Sequence, residues 1–383
     1  MRKAYLVFGQ PLIEEPEIDE VVGSMRTAWL GTGPKVAEFE RLIGEYKGVR
    51  HAVAVNSCTA GLHLSCLGIG LKPGDEVIVP AMTFCATINS VIHAGGVPVL
   101  VDVERDSFNM DPEQVLRKIT PKTKAIMPVH FAGRSCNMEA LGRIAHDHGL
   151  KMIEDCAHAI ETEYCGRKAG TFGDAGVLSF YSTKNIVTGE GGMVLTDDDA
   201  MAERIKRLAL HGMSADAWRR FSDEGYRHYD IDEVGFKYNM MDLQAAIGMH
   251  QITRVDAYWK RRLEIWRQYQ DAFAGLPVTL PAPFESNTRH ALHLYTLLID
   301  FEQAHLTRDE FIMAMHRRKI GTGVHYRAIP VYSVYERLFG WKLEDYPVAK
   351  SIGMSTVSLP LSPKLTDEDV SDVIVAVREI LGC

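Results

Sequence analysis

Short apolar runs alternate with amphipathic segments over roughly the first 245 residues. The runs are rich in Val, Ile and Met with little polar alternation, which is typical of strands covered on both faces. Six runs predict strands: AVAV (52–55), EVIVP (76–80), VPVLVDV (97–103), AIMPVH (125–130), KMIED (151–155) and VLSFY (177–181). Helical patterns lie between them, including VAEFERLIGEY and a segment that begins at a candidate cap, Asn137, and ends at Gly149. This alternation predicts an α/β fold with a mostly parallel sheet sandwiched by helices.

The pattern changes after about residue 245. The stretch AAIGMHQITRVDAYWKRRLEIWRQYQDAF predicts one or two helices, LHLYTLLID (292–300) predicts a strand, and the last helix begins at a capping box formed by Thr366 and Asp369. A chain of 383 residues usually exceeds one core. We therefore expect a large cofactor-binding α/β domain over 1–245 and a smaller C-terminal α+β domain over 246–383. The polar, glycine-containing segment 213–235 predicts a long loop of a length often found in lids.

Charge and composition exclude several classes of protein. The net charge of −8 argues against nucleic acid or an anionic membrane as a main partner, because either would favour a basic face. No apolar run approaches the roughly 20 residues of a membrane span. The N-terminal apolar stretch is soon broken by proline and acids, so it resembles a signal peptide poorly. Seven cysteines with no C-x-x-C pair predict reduced thiols in a cytoplasmic protein.

Two strand ends carry candidate chemistry. In AVNSCTAGLHL, the first backbone N–H groups of a helix and the Ser57 and Thr59 hydroxyls could cradle a phosphate, or simply cap the helix. In IEDCAHAIE, Asp155 and His158 follow an apolar strand, and a buried carboxylate there needs a cation or a donor. Asp155, Cys156 and His158 could bind a metal, but no further ligand pair of suitable spacing occurs, so we expect no metal.

A third strand end contains a lysine. Lys184 follows VLSFY in SFYSTKNIVTGEGGMV, where desolvation would lower its pKa and make it a usable amine nucleophile. The alternative is a hairpin with a surface lysine. A phosphate cradle, a carboxylate and an amine together match pyridoxal phosphate, which needs an amine for its aldehyde, a partner for its pyridine nitrogen and donors for its phosphate.

The sequence also resembles the DegT-type nucleotide-sugar aminotransferases, a pyridoxal phosphate family with the aspartate aminotransferase fold (fold type I). The resemblance runs from GTGPKVAEFE through NSCTAGLHL, PVHFAG, IEDCAHA, SFYSTKNIVTGEGGMV and FKYNMMDLQAAIG to SLPLSP. It implies that Lys184 is the Schiff-base lysine, that Asp155 pairs with the pyridine nitrogen and that His158 lies near the ring oxygen, where many relatives carry Gln. It further implies that Phe84 stacks on the ring and that Asn239 reaches the phosphate of the neighbouring subunit. The phosphate ligands that it implies are Thr59, Ala60 and Ser179. We therefore expect a homodimer with shared active sites.

The resemblance also implies a substrate class. Dehydrating relatives replace the lysine with His, so Lys184 favours transamination. HGMSADAW, GFKYNM and IGTGVHYR resemble enzymes that aminate C4 of UDP-linked sugars, as in 4-amino-4-deoxy-arabinose synthesis. We expect glutamate as donor and a nucleotide-linked ketosugar as acceptor, in cell-surface polysaccharide or amino-sugar biosynthesis. A dTDP- or GDP-linked sugar, a 3-keto sugar or a keto-cyclitol are alternatives.

Candidate substrate contacts lie in HRRKIGTGVHYR, namely His325, Tyr326 and Arg327. A diphosphate would favour this basic stretch, although cations also gather at helix C-termini.

Two rival classes of protein make different demands on the sequence. A Rossmann oxidoreductase or epimerase should carry its glycine fingerprint after the first strand, but GIGLKPG (68–74) has the wrong spacing and follows a helical pattern. A regulatory protein that kept the fold and the cofactor remains open, although the intact Lys184 and Asp155 argue against it.

Overall fold

The computed structural model describes residues 2–213 and 230–382. Strands within this part of the chain are β1 (His51–Val55), β2 (Glu76–Pro80), β3 (Val97–Val101), β4 (Thr123–Ile126), β5 (Lys151–Cys156), β6 (Glu163–Tyr164), β7 (Arg167–Lys168), β8 (Ala175–Ser179), β9 (Gly192–Thr196), β10 (Val278–Thr279), β11 (Thr288–Arg289), β12 (Tyr295–Ile299) and β13 (Thr356–Leu359). Helices are α1 (Glu15–Thr27), α2 (Pro34–Lys47), α3 (Cys58–Gly68), α4 (Cys85–His93), α5 (Pro112–Lys118), α6 (Met138–His148), α7 (Asp199–Ala209), α8 (Asp242–Thr253), α9 (Val255–Phe273), α10 (Phe301–Ala304), α11 (Arg308–Arg317), α12 (Ser333–Phe339), α13 (Pro347–Ser355) and α14 (Asp367–Ile380).

The central sheet has seven strands in the order β1-β9-β8-β5-β4-β2-β3. The pairs from β8 through β5, β4 and β2 to β3 are parallel, whereas β9 runs antiparallel to both β8 and β1. The predicted mostly parallel α/β sheet is therefore confirmed. Two smaller sheets accompany it, β10-β12-β13 and β11-β6-β7.

Local sequence explains where several helices begin and end. Asn137 caps α6 by accepting the Ala140 N–H at 3.1 Å, and Gly149 ends it in the left-handed region with φ 63°. The capping box predicted at Thr366 and Asp369 is present at the start of α14. These predicted boundaries are confirmed.

Strand bounds differ from the sequence prediction in places. EVIVP forms β2 with the predicted bounds, but β4 ends at Ile126 rather than at residue 130. Pro128 lacks an N–H for the ladder, and only an isolated bridge from Val129 to Asp155 continues the pairing. The antiparallel strand β9 was not predicted, because its sequence follows a glycine-rich turn. The long stretch after residue 245 forms two helices that meet at Arg254.

Hydrophobic packing joins the two parts of the chain. The sheet β10-β12-β13 packs with α9, α11 and α14 through a core that includes Tyr269, Leu297, Phe311 and Val373. Residues such as Ile329 and Ile352, although C-terminal in sequence, belong to a core of the central sheet. The division at 245/246 stays a prediction.

The fold directs the candidate residues towards one end of the central sheet. Asp155 lies on β5, α3 begins just after β1, and Lys184 follows β8 in the connection to β9. Most of the predicted lid, residues 214–229, lies outside the described residues. Among the described helices, none combines the length and apolar character needed to cross a bilayer.

Candidate active site

Asp155 is a buried carboxylate with two protein donors. The Thr87 hydroxyl donates to Oδ2 at 2.8 Å, and the Ala157 N–H donates to Oδ1 at 3.1 Å. Burial raises the pKa of Asp155, while these two hydrogen bonds and the positive charge of Lys184 oppose the rise. A cation beside this carboxylate would therefore favour its ionised form.

Lys184 is held in place by its backbone, because its N–H donates to the Tyr181 carbonyl at 2.8 Å. Its side chain is partly buried, and Nζ makes no hydrogen bond or ion pair with the described residues. Burial lowers the pKa of Lys184 to about 8, against the opposing influence of Cys58 and Asp155. β8 and β9 do pair as antiparallel strands, but Lys184 between them is a partly buried amine near Asp155 rather than a surface lysine.

The start of α3 combines a cap with free donors. The Ser57 hydroxyl accepts the Ala60 N–H at 3.1 Å, so Ser57 is the cap that the sequence allowed. The Thr59 hydroxyl has no partner in residues 2–213 and 230–382. Ser179 ends β8 opposite Gly192, and its hydroxyl accepts only a long contact of 3.5 Å from the Tyr181 N–H. Thr59, Ala60 and Ser179 stay predicted phosphate ligands.

His158 forms a pair with Tyr326. The His158 Nδ1 accepts the Ala132 N–H at 3.2 Å, and its Nε2 lies 3.0 Å from the Tyr326 hydroxyl. Burial, followed by the charge of Lys184, holds the pKa of His158 well below its usual range. Burial also raises the pKa of Tyr326, and the charge of Asp155 adds to the rise. The pair is therefore a neutral imidazole next to a protonated phenol.

His325 and Phe84 lie beside this pair. The ring of Phe84 is 5.9 Å from that of Tyr326 and is 56% exposed, which leaves a face free to cover a ligand. His325 Nδ1 lies 2.9 Å from the Ser358 hydroxyl, and burial together with Lys184 lowers the His325 pKa to about 3.

Asn239 and Arg327 are the remaining predicted site residues, and the Asn239 backbone pairs with Val55 at the end of β1, just before α3. Asn239 donates to the Thr32 hydroxyl at 2.7 Å and lines a groove of about 1120 Å³ beside Trp29. The Arg327 guanidinium lies over the Tyr332 ring at 5.7 Å. It lines a separate cavity of about 370 Å³, whose lining includes none of the residues around Lys184. Both roles stay predictions.

Sequence reasoning missed a buried network behind Lys184. Asn185 donates to Glu161 and to the Ala291 carbonyl, both at 2.8 Å, and its Oδ1 lies 3.0 Å from His293 Nδ1. Arg262 lies 3.4 Å from Glu161. The only local signal was that Asn185 directly follows Lys184, because its partners are 24 to 108 residues away.

The metal site considered from the sequence is not formed by its three residues. Successive side chains of β5 alternate between its faces, so Cys156 and Asp155 point to opposite sides. Cys156 instead lies near His130 and Glu154. Glu154 accepts backbone N–H groups from Gly170, Phe172 and Gly173 as well as His130 Nε2, which leaves its oxygens fully engaged.

The arrangement fits pyridoxal phosphate. Lys184 offers an amine without a hydrogen-bond partner, buried Asp155 lacks a hydrogen-bonded cation, and the start of α3 offers the free Thr59 hydroxyl. These are the amine, the pyridine-nitrogen partner and the phosphate donor that the cofactor requires.

Comparison with known proteins agrees with this chemistry. Residues 11–378 match the family described as the DegT/DnrJ/EryC1/StrS aminotransferase family. The spore coat polysaccharide biosynthesis protein SpsC of Bacillus subtilis is 46% identical over 381 residues, which cover 99% of this chain and 98% of that protein.

Solved structures show the same fold. The putative sugar aminotransferase Spr1654 of Streptococcus pneumoniae, in its PLP form, has a TM-score of 0.90 at 32% identity and 98% coverage of both chains. PseC of Helicobacter pylori, an aminotransferase involved in the biosynthesis of pseudoaminic acid, has a TM-score of 0.90 at 26% identity, covering 98% of this chain and 99% of that one. With a family match over nearly its whole length, the chain belongs to the DegT/DnrJ/EryC1/StrS aminotransferase family and is an aminotransferase.

Proposed function

We propose that this protein uses pyridoxal phosphate to move an amino group from glutamate to the keto carbon of a nucleotide-linked sugar. The observation that carries the proposal is the partly buried Lys184 amine, held near the buried Asp155 carboxylate at one end of the sheet. Sugar as the substrate class is supported by the relatives, which include a polysaccharide biosynthesis protein and a putative sugar aminotransferase.

Seven residues of the candidate site have a proposed task. Bound pyridoxal phosphate supplies an aldehyde that carries the amino group and an electron-poor ring that stabilises negative charge on the reacting carbon. Lys184 Nζ would hold the cofactor through its aldehyde and would then carry a proton between the amino-bearing carbon and the ring-side carbon. Asp155 would hold the proton of the ring nitrogen, and Thr87 orients that carboxylate through its 2.8 Å bond. Thr59, Ala60 and Ser179 would hold the phosphate, and Phe84 would cover the ring.

The finer substrate identity is also a proposal. C4 of a UDP-linked sugar is the acceptor that the sequence resemblance favours. A dTDP- or GDP-linked sugar, a 3-keto sugar and a keto-cyclitol are the alternatives. We propose Arg327 as an anion contact, because its planar guanidinium can donate two parallel hydrogen bonds to a phosphate or a carboxylate. Its cavity is also lined by Arg308, Lys350 and Asp309, of which Asp309 pairs with Arg308, and no carboxylate among the described residues pairs with Arg327.

A homodimer with shared sites completes the proposal. Trp29 and Leu30 are 50% and 46% exposed at the rim of the groove that Asn239 lines, and exposed apolar surface of this kind is typical of interfaces. Asn239 would reach the partner subunit's phosphate from this groove. A cytoplasmic location is likewise a proposal, supported by the six cysteines within the described residues, which are all free thiols.

The test is product analysis with glutamate and a panel of UDP-, dTDP- and GDP-linked 4-keto and 3-keto sugars. We expect 2-oxoglutarate and an aminated sugar nucleotide, with ping-pong kinetics because both half-reactions use one pocket. Amination of simple 2-oxoacids with no ketosugar accepted would overturn the substrate class. Cofactor binding without any transamination would favour a regulatory protein.

A further inference from the structure

His293 is a buried imidazole that the functional roles above leave unused. It precedes β12, and its ring centroid lies 4.4 Å from that of His158. Burial lowers its pKa well below the usual range, and the charge of Lys184 lowers it further. His293 is therefore a neutral ring close to the reacting amine.

The contacts of Asn185 determine which nitrogen of His293 carries the proton. Both hydrogens of the Asn185 amide point to acceptors, the Glu161 carboxylate and the Ala291 carbonyl. The opposite amide orientation would place Oδ1 against those two acceptors, so it is excluded. Asn185 Oδ1 then faces His293 Nδ1 at 3.0 Å and requires a donor there. His293 consequently carries its proton on Nδ1, and no donor among residues 2–213 and 230–382 occupies the lone pair of its Nε2.

His158 has the opposite arrangement. Its Nδ1 must accept, because the Ala132 backbone N–H is always a donor. The proton of the neutral ring is therefore on Nε2, which donates to the Tyr326 oxygen at 3.0 Å. Tyr326 must direct its own hydroxyl proton elsewhere, and the described residues offer it no acceptor.

We propose that His293 Nε2 and the Tyr326 hydroxyl, which both adjoin the His158 ring, act as an acceptor and a donor that together bind one hydroxyl of the sugar, next to the carbon that receives the amino group. A sugar hydroxyl can donate to His293 and accept from Tyr326 at once, whereas an ammonium group can only donate. An ammonium would also add a second cation near Lys184, which already acts electrostatically on His293. This inference rests on the proposed function and names a specificity-determining residue for it.

Two substitutions at His293 distinguish a role in binding the sugar from a role in stabilising the local structure. His293→Asn places an amide N–H where Nδ1 lies, so it keeps the bond to Asn185 and loses the acceptor. His293→Gln places an amide oxygen where Nε2 lies, so it keeps the acceptor and loses the bond. The probes are a UDP-linked 4-amino-4-deoxypentose and its analogue without the 3-hydroxyl. Their dissociation constants are measured by titration calorimetry, with thermal unfolding and cofactor uptake recorded for each variant.

We expect His293→Asn to weaken binding of the hydroxylated probe about fivefold to tenfold, the usual size for one hydrogen bond, and to bind the deoxy probe like the wild type. His293→Gln should keep most of the affinity while unfolding at a lower temperature. Equal weakening by both variants, or unchanged binding by His293→Asn, would overturn the inference while leaving the aminotransferase intact. If the wild-type enzyme aminates no ketosugar and binds neither probe, the proposed function fails first and the inference with it.

Discussion

We expect Lys184 to react as an amine near neutral pH, because burial lowers its pKa to about 8. A lowered pKa makes the neutral amine available at lower pH, so the rate at which the apoprotein captures pyridoxal phosphate should rise up to about pH 8 and then level off. The measurement is borohydride reduction after short incubations, with mass spectrometry of the Lys184 peptide. Nα-acetyl-lysine, with an ordinary pKa of about 10.4, is the control whose rate keeps rising. A capture rate at Lys184 that keeps rising beyond pH 9.5 would contradict the lowered pKa.

We predict that Asp155 contributes to the reaction through its negative charge rather than through the size of its side chain. Asp155→Asn keeps the size of the side chain but removes the negative charge that holds the ring-nitrogen proton. We expect kcat to fall about a hundredfold or more, with cofactor binding affected less. Thr87→Val, which removes only the donor at 2.8 Å, should lower kcat by a smaller factor. Steady-state kinetics of folded variants provide the check, and an ordinary kcat in Asp155→Asn would refute this role.

Arg327 should act on substrate binding. Arg327→Ala is expected to raise KM for the sugar nucleotide more than it lowers kcat, because an anion contact remote from the reacting carbon contributes to the ground and transition states alike. Arg337, an exposed arginine on α12 that does not line the Arg327 cavity, supplies the matched control. Equal effects of Arg327→Ala and Arg337→Ala on KM would remove Arg327 from the substrate site.

At the scale of elements, we expect the cap of α3 to affect both folding stability and cofactor binding. Ser57→Ala removes the cap at 3.1 Å and should cost about 1 kcal/mol of unfolding free energy. It should also weaken pyridoxal phosphate binding, because the first N–H groups of α3 would lose their fixed geometry. Thr366→Ala, at the cap of α14, should cost a similar unfolding free energy and leave cofactor affinity unchanged. Denaturant unfolding and cofactor titration distinguish the two variants. Equal cofactor affinities of Ser57→Ala and Thr366→Ala would contradict a role for the start of α3 in cofactor binding.

Local signals determined which elements and residues could be predicted. The buried parallel strand EVIVP has a continuous apolar sequence and was predicted with its observed bounds. The end of β4 at Ile126 was not predicted, because the effect of Pro128 depends on pairing with a neighbouring strand. Lys184, Asp155 and His158 were predicted because each follows or ends an apolar strand. Tyr326 was singled out, but its bond to His158 spans 168 residues, and no sequence pattern indicates it. The role of His293 likewise depends on Asn185, 108 residues away.

At the scale of the whole molecule, the active site depends on both halves of the chain. The buried pair of Glu161 and Arg262 joins the segment after β5 to α9, and His293 reaches Asn185 from the segment before β12. Asp155 lies on β5 and Lys184 lies between β8 and β9, so the carboxylate and the amine come from the same chain. Asn239 bonds to Thr32 in the groove beside Trp29, and we predict that it contributes to the partner's site.

Subunit mixing tests this difference. Lys184→Ala and Asn239→Ala chains should each form weak or inactive homodimers, but a heterodimer should contain one site with both native residues. Random re-association of equal amounts should therefore restore about a quarter of all sites. The matched control mixes Lys184→Ala with Asp155→Asn, whose residues serve one site from one chain, so every site keeps a defect and no activity should return. Heterodimers that form, as native mass spectrometry can establish, yet regain no activity in the first mixture would show that Asn239 serves its own chain. Equal recovery in both mixtures would mean that Lys184 and Asp155 come from different subunits.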